Sequence, residues 1–168
     1  PEAPVVTEQV GDESGVEEVI DNESSIKKVD DARALAMEAG ADKYAPELFA
    51  KLEEMYQALV NNSEGKDVSA ECADLAARYA ILADYAKAKA TKEKIDAEHL
   101  STYAESTYAE GVLLLKVLDE AFKVGANFDV VLGETAKAAY TKFNKVYLIA
   151  YKLIAQNERS LALDEKKD

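Results

Sequence analysis

The two side chains best suited to covalent or metal chemistry each occur once in this sequence, as Cys72 and His99. Nucleophilic catalysis by Cys72 would need His99 in contact with it and a third group to orient the ring. Cys72 instead sits among small residues (Ala70, Ala73), the usual setting of a cysteine that serves as a small hydrophobe between helices. His99 follows Asp96 and Glu98 in a charged stretch and reads as solvated surface. Zinc takes three or four ligands, and no other thiol or imidazole exists to complete a set, so no metal site is expected. Glu53-Glu54 and Asp119-Glu120 are adjacent carboxylates. Neighbours on a helix point about 100° apart, so neither pair forms an acid/base dyad. Gly-rich phosphate loops, His-Glu-x-x-His and calcium-loop spacings are all missing. The sequence therefore reads as non-enzymatic, with no catalytic residue, metal or cofactor.

The tyrosines, nine of them with no Trp, are the more informative set. Tyr140, Tyr147 and Tyr151 share one helical face, and Tyr79 with Tyr85 can oppose them from another helix. One reading makes all five core-edge packing, with hydroxyls reaching solvent or backbone. The other makes them the lining of a groove for a peptide or lipid-like ligand. Tyr103 and Tyr108, in and beside the Ser/Thr-rich stretch 101–107, are secondary candidates for surface recognition.

Helices must position these residues. Alanine is abundant while Gly (7) and Pro (3) are scarce, a composition that favours an all-α fold. Ser24 or Ser25 can cap a first helix whose apolar positions Ile26, Val29, Ala32, Ala36 and Ala39 recur at three and four, with Gly40 to end it. Pro46 suits the first position of a second helix carrying Leu48, Leu52, Met55, Tyr56 and Leu59. Residues 61–67 form a clear loop, after which Asp67 or Ser69 can cap a long helix bearing Leu75, Tyr79, Leu82, Ala83 and Ala86. No Gly or Pro interrupts the chain between Lys66 and Glu110, and a break at 96–99 is allowed but not forced. Gly111 permits a kink before an apolar helix through Leu115, Leu118 and Phe122. A second loop at 125–129 precedes a last helix to about Leu163, with Tyr140, Phe143, Tyr147, Tyr151 and Ile154 facing inward.

These elements predict antiparallel helical hairpins in a four- or five-helix bundle. A weak echo at an offset of 66 residues (Leu52, Glu53, Tyr56 against Leu118, Asp119, Phe122) suggests two stacked hairpins in a tetratricopeptide-like arrangement. The domain layout expected is an acidic flexible tether at 1–24, a helical domain at 25–163 and a frayed charged tail at 164–168.

Charge is unevenly placed. Of the net −13, residues 1–25 carry eight acids and no Lys or Arg, leaving −5 for the rest. Like charges and sparse apolar surface disfavour packing of that arm, whose flexible reach is roughly 25–30 Å. No concentrated basic surface is present to displace phosphate counterions, so nucleic-acid binding is not expected. The longest aliphatic run is four residues, Val112 to Leu115, against the ~20 needed to span a bilayer. A single cysteine rules out an intramolecular disulfide and fits either a cytosolic or an envelope protein.

Residues 31–95 resemble a family of bacterial lipoprotein-type helical domains. The shared pattern is an Ala-rich first helix (Ala32, Ala34, Ala36), then Gly40-Ala41-Asp42-Lys43-Tyr44-Ala45-Pro46-Glu47, a Gly65 loop and an Ala-rich helix over 70–90. Pro46-Glu47-Leu48-Phe49 is similar to the Pro-Glu-Leu-Phe of treponemal membrane antigen type proteins. The resemblance implies export to the periplasm or outer membrane and a lipid-modified cysteine, which here would precede Pro1. Membrane contact would then come only through that anchor, with the acidic arm as a stand-off spacer. The expected function is a non-enzymatic envelope lipoprotein that scaffolds interactions with other envelope proteins. The alternatives are a carrier of a small apolar or aromatic ligand and a cytosolic structural or assembly protein.

Overall fold

A computed structural model describes residues 21–166. The described chain forms six α-helices and no strand: α1 (Glu23–Glu38), the single turn α2 (Ala41–Tyr44), α3 (Pro46–Asn61), α4 (Ser69–Ala97), α5 (Glu105–Ala121) and α6 (Gly133–Glu165). Most of the expected tether lies outside the described residues. The expected frayed tail is helical as far as Glu165.

The major helices alternate in direction. Asn22, at the start of α1, donates to the carbonyls of Ser63 and Lys66 and accepts from the Val68 N–H at the start of α4. The two helices therefore run the same way. Ile81 of α4 adjoins Gly133, the first residue of α6, and Glu98 just past α4 meets Tyr151, so α4 and α6 are also parallel. The returning helices are antiparallel to them: α3 places Phe49 against Tyr79, and α5 places Tyr108 against Phe143. Helix α4 is the spine, flanked by α1 on one side and α6 on the other. Fully buried alanines line those contacts (Ala36 of α1, Ala86 and Ala88 of α4, Ala136, Ala139 and Ala150 of α6), and small side chains let the axes approach closely. Around them, Leu52, Leu75, Tyr79, Leu82, Ile95, Leu118 and Phe143 close the core.

The turn between α1 and α3 shows how local chemistry sets the path. Gly40 ends α1 with φ +86°, a left-handed conformation that costs glycine nothing. After the single turn α2, Ala45 takes φ −142°, ψ 60°, and Pro46 opens α3 where no N–H is needed. The α4–α5 turn repeats this path. His99 is left-handed at φ 56°, a 3₁₀ turn covers 101–103, and Ala104 takes φ −156°, ψ 63°. The carbonyls of Ala45 and Ala104 accept from Phe49 and Tyr108, the aromatic residues that pack edge-on in each hairpin. The turns thus repeat with Ala45 equivalent to Ala104, not at the offset of 66 read from the helices. At that offset buried Tyr85 would match exposed Tyr151.

Two local expectations are revised, and one possibility the sequence leaves open is realised. Helix α1 starts at Glu23, with Asn22 rather than Ser24 or Ser25 before its first turn. The permitted break at 96–99 does occur, at His99. Gly111 does not precede the apolar helix but lies inside α5, which runs through it; a Cβ there would sit 2.9 Å from the Phe143 ring, so the glycine lets α5 press onto α6. The loop at 125–129 is where the sequence placed it. Arg78 donates to the carbonyls of Ala126 and Phe128, while the buried Phe128 ring anchors the loop to the core.

Candidate interaction face

The structure does not gather the five tyrosines into one groove. Tyr79 is fully buried and points toward α3, where its hydroxyl donates to Glu53 at 2.8 Å. Arg33 of α1 grips the same carboxylate through Nε and Nη2 at 2.7 Å each and stacks over the Tyr56 ring. The Arg33 hydrogen bonds, aided by Tyr79, hold Glu53 below the ordinary carboxylate range. Burial, then the Glu53 hydrogen bond, pushes the Tyr79 phenol up. Tyr79 is a core residue joining three helices, so it lines no groove.

Tyr85 is also buried, but it faces α5. Its hydroxyl donates to Asp119 at 2.5 Å and its ring meets the edge of Phe122. Burial and the Asp119 hydrogen bond raise its pKa as well. The rim of Tyr85 touches an open cleft of about 290 Å³, which Tyr44, Pro46 and Leu48 border from the α1–α3 turn. Phe122 and Lys123 border it from the end of α5. The resemblance-bearing segment 44–48 therefore borders one of the clefts on the surface.

Tyr140, Tyr147 and Tyr151 do form a row along α6, on the side that meets α4. Lys87 of α4 sits over the Tyr140 ring at 5.6 Å. The Tyr147 and Tyr151 rings stack at 4.6 Å, and the Tyr151 hydroxyl donates to Glu98 at 2.9 Å. Tyr140 and Tyr147 are half-buried and Tyr151 is 42% exposed, so the row is partly open rather than wholly inward-facing. From 140 to 151 the helix rises about 16 Å, the length of roughly five extended residues.

The secondary pair divides. Tyr103 is 42% exposed, whereas Tyr108 is half-buried with its hydroxyl on Asp96, which also holds Lys92. On the outer side of α5, Leu113 (61% exposed) and Val117 (51% exposed) stand one turn apart above shallow hollows. His99 is exposed and Cys72 is buried, with its thiol pKa raised by burial. Among the described residues no group of His, Cys, Asp and Glu could hold a metal ion, and no helix is long and apolar enough to cross a membrane.

Sequence reasoning missed two features of these surfaces. The first is the Arg33–Glu53–Tyr79 triad, whose members lie 20 and 26 residues apart, with no local pattern to join them. The second is Asp84, a partly buried acid beside the tyrosine row. Its helical phase relative to Lys87 could have flagged it.

No family model matches the chain, and no solved structure matches it. The chain is 30% identical over 143 residues, 83% of its length, to treponemal membrane protein A of Treponema phagedenis. It spans 41% of that protein's length. Over most of its residues, then, this chain is similar to a treponemal membrane protein.

Proposed function

We propose that this chain is a non-enzymatic envelope protein whose helical hairpins serve as an interaction scaffold, with the α4–α6 face as its contact surface. The observation that carries the reading is the row Tyr140, Tyr147 and Tyr151 with Lys87 and Glu98 beside it. Tyrosines supply rigid amphipathic contact area at low entropic cost, and they are enriched where proteins meet. The envelope placement rests on the similarity to a treponemal membrane protein. The segment Gly40 to Glu47 enters this reading as the builder of the α1–α3 turn, where Gly40 and Pro46 set the angle between the helices.

Placement is tested on the native protein by detergent-phase partitioning and mass spectrometry of its mature N-terminus. An acylated cysteine upstream supports the envelope reading; an aqueous-phase protein with no processed leader refutes it. The contact surface is tested by site-specific photo-crosslinking in intact cells. A benzoylphenylalanine at position 151 should capture a defined partner, while the same group at exposed Asp31 on α1 should not. Equal capture at both positions, or none at either, removes the α4–α6 face as the site.

A further inference from the structure

Three of the described carboxylates are partly withdrawn from solvent: Glu53, Asp74 and Asp84. Glu53 is gripped by Arg33 and Tyr79, and Asp74 by Arg78 at 2.8 Å. Asp84 accepts no hydrogen bond from any described residue, and no described cation comes within ion-pair distance of it. Taking a carboxylate even partly out of water without a partner is unfavourable. Burial accordingly pushes the Asp84 carboxyl above its ordinary value, against the pull of Lys87 and Lys137.

Its position shows where a partner could come from. The residues of α4 that keep some exposure along one face recur at three and four: Ala73, Ala77, Ala80, Asp84, Lys87 and Thr91. The first three are alanines, so charge on this strip begins at Asp84 and Lys87. Lys137 contributes from the first turns of α6, and Tyr140 lies alongside under Lys87. The local pattern is one carboxylate between two exposed ammonium groups, with an aromatic face next to it.

We propose that Asp84 anchors a basic side chain of a partner polypeptide, with acidic residues flanking that side chain meeting Lys87 and Lys137. The inference rests on the interaction-scaffold reading and names the chemistry of its partner. An arginine suits the site best. Its planar guanidinium can bond a carboxylate in bidentate fashion and stack on a ring, as Arg33 does with Glu53 and Tyr56 in this same molecule. The flanking acids match the two lysines and disfavour a partner of the opposite pattern.

The test uses the full chain and three acetylated, amidated decapeptides differing only at their centre: Glu-Arg-Glu, Glu-Gln-Glu and Lys-Asp-Lys. Binding is followed by fluorescence anisotropy at low salt. The Glu-Arg-Glu peptide should bind roughly fivefold to tenfold more tightly than Glu-Gln-Glu, the range of a partly desolvated charge-assisted hydrogen bond. Asp84→Asn should abolish that difference while leaving Glu-Gln-Glu affinity unchanged. The variant loses no native contact, so its melting temperature should be unchanged or higher, which separates lost binding from lost folding. Equal affinity for the two Glu-flanked peptides overturns the anchor, as does a preference that survives Asp84→Asn, stronger binding of Lys-Asp-Lys, or no binding by any peptide. Equal affinity still leaves a face that binds polypeptide, whereas failure of the position-151 crosslink removes the α4–α6 face as the contact surface.

Discussion

Gly111 offers a test of the packing in which two known effects have opposite signs. Helix propensity alone makes Gly111→Ala stabilising by about 1 kcal/mol, because Gly111 lies in the interior of α5. The structure opposes this. A Cβ at position 111 would meet three ring carbons of Phe143 at 2.9, 3.0 and 3.1 Å, closer than van der Waals contact allows. Phe143 is fully buried and its ring is held edge-on by Tyr108 with centroids 5.7 Å apart, so it cannot swing away. Overpacking of a filled core costs about 1–3 kcal/mol. The net effect is a destabilisation of about 1 kcal/mol, or about 2–4 °C in melting temperature for a chain of this size. Urea unfolding of the wild type, Gly111→Ala, Phe143→Leu and the double variant measures it. The double variant should be more stable than the sum of the singles by about 1 kcal/mol, because the smaller side chain makes room for the new methyl. A Gly111→Ala protein about 1 kcal/mol more stable than wild type, with no coupling to position 143, would refute the close approach of α5 and α6.

His99→Gly should stabilise the protein by about 0.5–1 kcal/mol in the same urea assay, since His99 holds a left-handed φ of 56° that glycine adopts without strain. Glu53→Gln should cost about 1–3 kcal/mol, because Arg33 would lose its ionic acceptor in a partly buried site. The folded pKa of Glu53 lies below its unfolded value, so its contribution is complete above the ordinary glutamate range. That contribution disappears as pH falls through the folded value, and acid titration of the Glu53→Gln variant should show a shallower loss of stability there. Tyr79 and Tyr85 have the opposite sign. Their raised pKa values mean stability is complete below about pH 10, the ordinary phenol value, and is lost as pH rises beyond it. Tyr79→Phe, followed by urea unfolding monitored by circular dichroism across alkaline pH, should lose stability less steeply above about pH 10 than the wild type. Removing residues 156–168 should leave the melting temperature within about 1 °C, because from 155 onward every described side chain of α6 is exposed. A marked drop would mean that the end of the helix is held by contacts absent from this structure.

The helices were legible because local signals mark them. Pro46 opens α3, the 61–67 and 125–129 segments are loops, and the apolar positions of α3 and α4 recur at three and four. What sequence could not fix was the direction in which a side chain with two plausible uses would point. Residue type and rough phase group Tyr79 and Tyr85 with the α6 tyrosines. Six residues on a helix, however, turn through about 240° net, so one ring faces α3 and the other α5. In sequence His99 reads as an ordinary surface residue. It is exposed, but it also turns the chain between α4 and α5, a backbone role that nothing in an imidazole announces. In sequence Gly111 reads as a place where the chain can kink, whereas its use is the absence of a side chain beside Phe143. At Gly111 a long-range contact decides what local sequence reads as freedom.

The number of tyrosines and the acidity of the folded part have one explanation between them. Tyr44 donates to Glu93, Tyr56 to Asp30, Tyr79 to Glu53, Tyr85 to Asp119, Tyr108 to Asp96 and Tyr151 to Glu98. Each of these bonds joins separate parts of the chain, with five of the acids on a helix and the sixth, Glu98, just past the end of α4. A phenol is a neutral donor with a large apolar ring, so it can satisfy a carboxylate at a helix interface without a second charge to desolvate. Lysine and arginine instead bring a charge that must be paired. A bundle whose helices are joined this way tolerates more acids than bases and needs only a few arginines, two of which it places at Glu53 and Asp74. By the same logic Asp84 stands out, since it has neither a tyrosine nor an arginine. Among the described residues, the device that fastens this bundle together thereby marks Asp84 as the partly buried carboxylate that it leaves without such a partner.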